Sequence, residues 1–313
     1  MKHKIFKLKF KTAVHFGAKS LDMSNEIFHC DTLFSALCQE VVKKGDTNLE
    51  EFVEMFRSNK VSISDAFPYV GEKMYLPKPF LHVESAQQGD SGVKKAYKKL
   101  KYIPIELLDK YLKGEFPVLK ESVNLDKLGN HDTKNQVAIR TLENSEEGDP
   151  EPYRVGIYRY NEGNGLYFIL GYSDEKSYEI FKEFFISLKY SGIGGKRSSG
   201  FGRFDFEEIE VPQELEKRLN CESASTYMTL SLSLPSDEEL GEVVKDANYM
   251  LERRGGFVSS STYEKQLVKK KDLYVFQTGS CVKHIYKGDI YDVSSIGSHP
   301  VYKYAIPMFL EVK

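Results

Sequence analysis

The thirteen-residue stretch SGIGGKRSSGFGR, at positions 191–203, holds the densest set of residues able to bind a ligand. It contains five glycines, three serines and three cations, and it contains no acidic residue. Glycine adopts positive φ angles and leaves backbone N–H groups uncovered, while Lys196, Arg197 and Arg203 add positive charge. The composition therefore predicts a loop that binds the phosphates of a polyanion, with a plain flexible connection as the alternative.

The two common nucleotide-binding loops do not match this stretch. A P-loop requires Gly-Lys followed by Ser or Thr, but Arg197 follows Gly195-Lys196, and Tyr190 occupies the position of the first glycine. The dinucleotide-binding pattern requires glycine where Arg197 stands. Residues 200–206 match the strand motif of RNA recognition motifs only in part, because Arg203 replaces an aromatic residue. Two interpretations of the stretch therefore remain, a loop that binds a phosphate backbone and a plain flexible connection.

The overall composition limits the kinds of site that the chain can hold. It has 313 residues and a formal net charge of −2, so any nucleic-acid site must be a local basic patch. The seven histidines are scattered, and the four cysteines form no C-x-x-C pair, so we expect no metal and no cofactor. With no signal-peptide pattern and no apolar run of about 20 residues, we expect a cytoplasmic protein without membrane contact.

The first two thirds of the chain predict strands and helices in the order of a ferredoxin-like unit. Lys4–Lys11 alternates apolar and basic residues, which predicts a half-buried strand with one cationic face. A helix is predicted from His29, with Asp31 or Thr32 as its N-cap and Gly45 at its end. Segments 153–160 and 166–171 predict a hairpin around residues 161–165, followed by an amphipathic helix over 174–190 and a strand over 201–210.

The last third repeats this order more loosely. A strand over 227–234, a helix capped at Ser236, a strand over 248–253 and two or three later strands are expected. The boundary is predicted between Val211 and Cys221, which gives an N-terminal domain over 1–211 and a C-terminal domain over 222–313. The predicted fold is thus α+β, with two tandem ferredoxin-like (RRM-like) domains, a glycine-rich loop and an inserted hairpin.

Two basic stretches lie outside the glycine loop. Residues 94–101, KKAYKKLK, predict a helical turn whose lysines form either a solvated face or a contact with RNA or protein. Residues 265–287 contain six lysines against Asp272 alone, and together with Arg253 and Arg254 they make a better RNA-binding patch. Alternatively, Arg253 and Arg254 pair with acidic residues of the other half.

The position of residues 191–204 after the last helix of a ferredoxin-like unit resembles the signature of the RAMP superfamily of CRISPR RNA-binding proteins. Segments from both ends of the chain resemble one branch, the fourth subunit of the type III-A (Csm) effector complex. These segments are KLKFKT at 7–12, HFG at 15–17, HCDTLFSA at 29–36, RRGGFVS at 253–259 and GSHPVY at 297–302.

This resemblance implies a non-catalytic RNA-binding subunit of an antiviral ribonucleoprotein. Such subunits hold the 5′ repeat-derived tag of the CRISPR RNA, contact the large polymerase-like subunit and the backbone RAMP subunit, and lie near target RNA. The resemblance also implies a thumb-like hairpin at 139–152. Because its tip is acidic, Leu142 or a stem that includes Arg140 and Tyr153 is expected to contact RNA. The expected RNA-binding residues are Gly194, Gly195, Lys196, Arg197, Ser198, Ser199, Gly200, Phe201, Gly202, Arg140, Leu142, Arg253, Arg254 and His299.

Two alternatives remain at this point. Some RAMP proteins are metal-independent endoribonucleases that process precursor CRISPR RNA, and His15 and His29 are the candidates here for taking the 2′-OH proton. His29 directly precedes the predicted helix, where capping or packing is the competing role. The other alternative is a scaffold that contacts only proteins.

Overall fold

The computed structural model of the chain describes residues 1–45, 48–83, 91–138, 151–258 and 268–313. Within these ranges the helices are α1 (Cys30–Lys44), α2 (Leu49–Arg57), α3 (Ser91–Lys99), α4 (Leu108–Leu112), α5 (Val118–Leu125), α6 (Glu175–Ser191), α7 (Gln213–Leu219) and α8 (Asp237–Val243). Two short 3-10 turns cover Ile105–Leu107 and Arg197–Ser199.

The strands of the N-terminal part are β1 (Lys2–Phe10), β2 (Phe16–Gly17), β3 (Ser24–Asn25), β4 (Val61–Ile63), β5 (Phe67–Val70), β6 (Lys73–Pro77), β7 (Tyr102–Pro104), β8 (Gly129–Ala138), β9 (Glu151–Tyr160), β10 (Asn164–Tyr172) and β11 (Phe204–Glu210). The C-terminal part adds β12 (Tyr227–Thr229), β13 (Leu251–Arg254), β14 (Leu273–Phe276), β15 (Cys281–Val282), β16 (Asp289–Asp292), β17 (Tyr302–Ala305) and β18 (Phe309–Glu311).

The main sheet is antiparallel and has the order β11-β1-β10-β5-β6-β7, with β4 also paired to β10. One face of β1 and β10 packs under α1 and α6 in an aromatic core. In that core Phe6 stacks on Phe168 with ring centroids 5.1 Å apart, and Phe181 and Phe185 of α6 meet Phe6 at 5.7 and 5.2 Å. The sheet and its two helices therefore hold the end of α6, where the glycine loop begins.

The prediction of one exposed cationic face on β1 is wrong at the centre of the strand. Lys7 is only 9% exposed, and its ammonium lies 4.5 Å from the ring centroid of Tyr69. Ile5 on the same face belongs to a second core, which also includes Met228 and Leu310 of the C-terminal part. Because C-terminal strands cover this face, β1 is buried on both sides.

The predicted hairpin between residues 153–160 and 166–171 is also wrong. Both segments are strands, but β9 pairs with β8 over ten residues, whereas β10 pairs with β1, β4 and β5. The N–H of Asn161 donates to the carbonyl of Leu128, so the connecting turn is tied to the start of β8. Strand β10 is buried almost throughout and needs neighbours on both edges, while β9 is buried only over residues 155–158 and is exposed or half-buried towards both ends of its two-stranded ribbon with β8.

Helix α6 confirms its prediction, but the start of α1 differs from expectation. The Asp174 side chain caps α6 by accepting the N–H of Ser177 at 2.9 Å. In α1 the N-cap position is His29, without a side-chain cap bond, and the carboxylate of Asp31 forms ion pairs instead. Gly45, in the left-handed conformation, ends α1 as predicted.

The C-terminal part forms a three-stranded sheet β15-β12-β18 and the two-stranded pairs β13-β14 and β16-β17. Its helix α8 begins with the predicted cap, a reciprocal capping box between Ser236 and Glu239. The expected strand over 227–234 is only the three-residue β12, and within the described ranges five short strands follow β13 rather than two or three. Tyr304 of β17 packs 5.5 Å from Phe34 of α1, so both parts of the chain share one core.

The overall architecture is mixed α/β with antiparallel sheets. In the part of the chain that the structure describes, no helix combines the length and apolar character needed to cross a membrane.

Candidate nucleic-acid interface

A groove of about 850 Å³ lies between the glycine loop, one face of α1 and the C-terminal part of the chain. Seven basic residues line it, and Asp31 is the one acidic residue in its described lining. The basic residues are Lys43, Lys196, Arg197, Arg203, Arg254, Lys270 and Lys303. A chain with a net charge of −2 thus concentrates positive charge in one place.

The glycines of the loop are needed chiefly for close packing of the loop on the protein itself. Gly194 has φ +96°, and a Cβ there would lie 2.7 Å from the carbonyl oxygen of His15. Gly202 has φ +78°, and its Cβ would overlap the carbonyl of Ile193. Gly200 also has a positive φ, but a Cβ there would meet open space. Backbone conformation and contact with residues 13–16 therefore fix the loop.

Backbone donors of the loop divide into two groups. The N–H groups of Gly195 and Gly202 donate to the carbonyls of His15 and Ala13, at 2.8 and 2.9 Å, and anchor the loop. The N–H groups of Lys196, Arg197 and Ser198 have no acceptor among the described residues. Lys196 has the left-handed conformation (φ 59°, ψ 28°) just before the 3-10 turn. Successive free N–H groups in such a turn can bind an anion.

The two loop cations are held by neighbouring elements. The Lys196 ammonium lies 4.7 Å from the ring centroid of Tyr153 and 3.3 Å from its hydroxyl oxygen, which connects the loop to the β8-β9 ribbon. Arg197 donates through Nη2 to Oε1 of Gln39 on α1. Its Nη1 is buried and has no partner among the described residues. A guanidinium held on one side with a free donor on the other suits a phosphate oxygen.

Phe201 packs inside the protein. It is 5% exposed in a small core with Ala13, Val155 and Ile157, and the ammonium of Lys134 lies 5.2 Å from its ring centroid. This burial favours packing of the ring inside the protein over stacking on an RNA base.

The opposite wall of the groove contains a buried ion cluster. Arg254 meets Asp31 at two points, Nε to Oδ2 at 2.9 Å and Nη2 to Oδ1 at 2.8 Å, and Lys303 reaches Oδ2 at 2.8 Å. Burial by itself would raise the pKa of Asp31, but Arg254 and Lys303 outweigh it and hold that pKa well below its usual range. The pairing of Arg254 with an acidic residue of the other half, left open by the sequence, is thus present, and Arg254 still lines the groove.

Both candidate catalytic histidines are engaged in contacts that support the groove. His15 is 7% exposed beneath the glycine loop, with Nδ1 2.6 Å from the carbonyl oxygen of Gly156. His29 lines the groove, and its Nδ1 lies 2.6 Å from Oδ2 of Asp65. Burial works against the imidazolium of His29, but the carboxylate of Asp65 outweighs it and raises the pKa of His29.

The remaining predicted residues lie elsewhere. Ser199, Gly200 and Gly202 belong to the loop but not to the groove lining. Arg253 faces away from Arg254 on the ribbon β13-β14, beside Asp272 at 3.6 Å. His299 lies between β16 and β17, outside the lining. Arg140 and Leu142 lie outside the described residues.

Several residues of the groove escaped the sequence analysis. Gln39 and Lys43 lie one turn apart on α1, and Lys303 comes from the short strand β17. Tyr190 lies at the end of α6 and is 69% exposed, with the Lys189 ammonium 4.8 Å from its ring centroid. An aromatic residue off the apolar stripe of a helix, next to a glycine loop, is a signal that could have identified Tyr190.

Metal ligands do not converge in the described ranges, where no group of three or more His, Cys, Asp or Glu residues could hold an ion.

The comparisons with known proteins agree with one another. Residues 222–312 match the family model of the CRISPR Csm4 C-terminal domain. A CRISPR system protein Csm4 of Mycobacterium tuberculosis is 36% identical over 310 residues, which is 99% of this chain and 98% of that protein. The chain belongs to the Csm4 family. The Csm4 protein of Streptococcus thermophilus is 35% identical over 321 residues, with full coverage of both chains.

Solved structures show the same fold as this Csm4 family member. A chain of the Csm3-Csm4 subcomplex of the type III-A CRISPR-Cas interference complex superposes with a TM-score of 0.64 at 19% identity, covering 99% of both chains. A chain of a Csm1-Csm4 cassette in complex with cA4 gives a TM-score of 0.60 at 21% identity, covering 100% of this chain and 98% of the other.

Proposed function

We propose that this Csm4 family chain binds the 5′ repeat-derived tag of a CRISPR RNA in the groove between the glycine loop and the C-terminal part. The observation that carries the proposal is the convergence of cations from both parts of the chain on one groove, beside free backbone N–H groups at Lys196, Arg197 and Ser198. Contacts of this kind are made to phosphates and fix the register of a strand without reading every base.

Electrostatics favours a polyanion over a small neutral ligand. Seven basic residues face the groove, and Asp31, its one acidic residue in the described lining, is already paired with Arg254 and Lys303. Each phosphate bound there releases condensed counterions, which makes binding dependent on salt.

The chain's place in a larger assembly follows from its relatives. The solved structures with the same fold come from a Csm3-Csm4 subcomplex and a Csm1-Csm4 cassette. We propose that this chain likewise bridges the large polymerase-like subunit to the backbone RAMP subunit in a type III-A complex, in the cytoplasm and near target RNA.

The fold of the N-terminal part of the chain supports this assignment. The strands β1, β4, β10 and β11, with α1 and α6 between them, give the sheet order β11-β1-β10-β4, which is that of a ferredoxin-like unit. The described residues of the predicted C-terminal domain, 222–313, contain a single helix, α8, so a tandem repeat with a domain boundary near residues 211–221 stays a prediction.

The β8-β9 ribbon is proposed as the stem of the thumb-like hairpin. It pairs residues 129–138 with 151–160, and almost all described side chains of β8 are exposed. Tyr153 of this stem contacts Lys196, so the ribbon is joined to the glycine loop.

We further propose that the subunit is non-catalytic. The imidazoles of His15 and His29 are held by the carbonyl of Gly156 and the carboxylate of Asp65, and His15 is buried. These contacts favour structural roles over the endoribonuclease alternative.

The test is RNA binding by the Lys196→Ala, Arg197→Ala double variant across salt concentrations. We expect weaker binding of a guide RNA with its 5′ tag and a shallower dependence of log affinity on log salt, by about 1.4 for two lost phosphate contacts. The matched control is Lys110→Ala with Lys113→Ala, which removes two exposed charges that do not line the groove. Parent-like affinity and slope in the loop variant would contradict the proposal.

A further inference from the structure

The wall opposite the glycine loop contains a lysine that has no acidic partner among the described residues. Lys270 is half-buried and lines the groove. In the sequence it lies between β13 and β14, and its backbone N–H donates to the carbonyl of Gly256 at 3.0 Å. Its ammonium makes no hydrogen bond and no ion pair with any described residue. The neighbouring Lys269, by contrast, is exposed, outside the groove lining, and lies over the ring of Phe257.

Among the residues that the structure describes, the charges that face Lys270 do not balance. Asp31 on α1 supplies one negative charge, and both of its oxygens are occupied by Arg254 of β13 and Lys303 of β17. The Oε1 atom of Glu252 lies 3.1 Å from Nη1 of Arg254 and 3.4 Å from Nε2 of His29. Asp272 lies beside Arg253 on the far face of the ribbon.

This imbalance has a consequence for the protonation of Lys270. Burial first, and then the positive charges of Lys303 and Arg254, lower the pKa of Lys270 to about 8, while Asp31 acts in the opposite direction. The charged form is therefore less favourable here than in an exposed lysine, and an anion placed against the ammonium would offset that cost.

We infer that Lys270, beside Arg254 and Lys303, forms a second phosphate-binding subsite, so that a single strand of RNA is held between this wall and the glycine loop. The inference rests on the proposed function and adds a residue to it. A nucleic-acid backbone is the ligand that fits, because it carries phosphates in succession and one groove of about 850 Å³ has cations on two walls.

Lys270 is expected to contribute more to RNA binding than Arg254 and Lys303, the two other cations of this wall. Arg254 and Lys303 already share the carboxylate of Asp31 and serve mainly to shape the wall. Lys270 keeps all three of its donors for a ligand.

The experiment measures binding of the full chain to a synthetic single-stranded RNA with the sequence of the 5′ tag. Lys270→Gln should lower affinity on the order of tenfold and reduce the salt slope by about 0.7, the value for one phosphate contact on a single strand. Lys269→Gln, one residue away with the same change in charge, should leave both unchanged. Parent-like affinity and slope for Lys270→Gln would overturn the inference.

A pH series separates a phosphate contact from a role in folding. Because the RNA phosphates stay charged, deprotonation of Lys270 near pH 8 should weaken binding by the parent about fivefold between pH 7 and pH 9. Lys270→Arg stays charged throughout and should bind well, with a flatter profile than the parent, because among these two groups of the groove only His29 then titrates. A Lys270→Arg variant that keeps the parent's fall in affinity would overturn the inference.

The outcome also distinguishes the inference from the proposed function. If the loop variant of Lys196 and Arg197 loses RNA binding while Lys270→Gln does not, the groove binds RNA and the second subsite is wrong. If neither variant loses binding, both ideas are wrong.

Competition with inorganic phosphate at constant ionic strength tests whether the site prefers a free anion. If inorganic phosphate displaces the RNA when both supply the same concentration of phosphate groups, the site binds a free anion, and the assignment to an RNA backbone is overturned.

Discussion

Arg254 and Asp31 form a two-point ion pair across the two parts of the chain, with Nε–Oδ2 and Nη2–Oδ1 distances of 2.9 and 2.8 Å. The pair joins strand β13 to the first turn of α1, and Lys303 adds a third contact at 2.8 Å. It sets the distance between the C-terminal wall of the groove and the helix that holds Arg197 through Gln39. One buried carboxylate thereby positions both sides of the candidate RNA site.

Replacement of Asp31 by Asn should destabilise the protein by about 3 kcal/mol, because it leaves the buried cations Arg254 and Lys303 without their anion. Urea unfolding would measure this change. The control is Asp272→Asn. Asp272 lies 3.6 Å from the mostly exposed Arg253, so its replacement should lower the free energy of unfolding by less than about 1 kcal/mol. Equal effects of the two substitutions would contradict a special role for Asp31.

The stability of the protein should fall as the pH rises through the titration of His29. Its pKa is raised in the folded state, against burial, by Asp65, so the imidazolium stabilises the fold fully below the unfolded pKa of about 6.5. That contribution is lost as the pH rises through the higher folded pKa.

Thermal unfolding between pH 5.5 and 8 would measure this effect. The His29→Gln variant should have a flatter profile than the parent over that range, since glutamine does not titrate. Parallel profiles for the two proteins would show that the pair with Asp65 contributes nothing.

Gly202 should tolerate alanine much less well than Gly200. Both have positive φ angles, 78° and 84°, which cost an L-residue roughly 1–2 kcal/mol. At Gly202 the new Cβ would also overlap the carbonyl of Ile193, whereas at Gly200 it would meet open space. Gly202→Ala should therefore lower the unfolding midpoint more than Gly200→Ala and weaken RNA binding. If both variants behave alike, close packing does not hold the loop.

The protein should not cleave repeat RNA. Incubation without metal should give no product with a 2′,3′-cyclic phosphate, because His15 and His29 are engaged in contacts with Gly156 and Asp65. Denaturing electrophoresis of labelled RNA would measure this. Cleavage that is lost on His29→Ala but retained in a Lys110→Ala control would support the endoribonuclease alternative.

Local signals in the sequence were sufficient where a short segment determines its own structure. Asp174, the apolar spacing of Tyr178, Phe181 and Phe185, and the glycine that follows predict α6 and the loop after it, as the structure has them. Ser236 likewise predicts the cap of α8, which the structure has as a capping box with Glu239 three positions later.

Such local signals could not predict contacts between residues that lie far apart in the sequence. Asp31 has the local pattern of an N-cap, but its partner Arg254 lies 223 residues away. Strands β9 and β10 are adjacent in sequence and predict a hairpin, yet each finds a better partner elsewhere, in β8 and β1. The C-terminal wall of the groove, with Lys270 and Lys303, exists only because two parts of the chain pack together.

The most direct test of the central claim is photo-crosslinking of a guide RNA with 4-thiouridine in its 5′ tag to the assembled complex, with crosslinked peptides identified by mass spectrometry. The account predicts crosslinks in the glycine loop at 194–198 and near Tyr190, Arg254 and Lys270, all of which line one groove. Crosslinks of the tag confined to other subunits, or to this chain outside the groove, would contradict it.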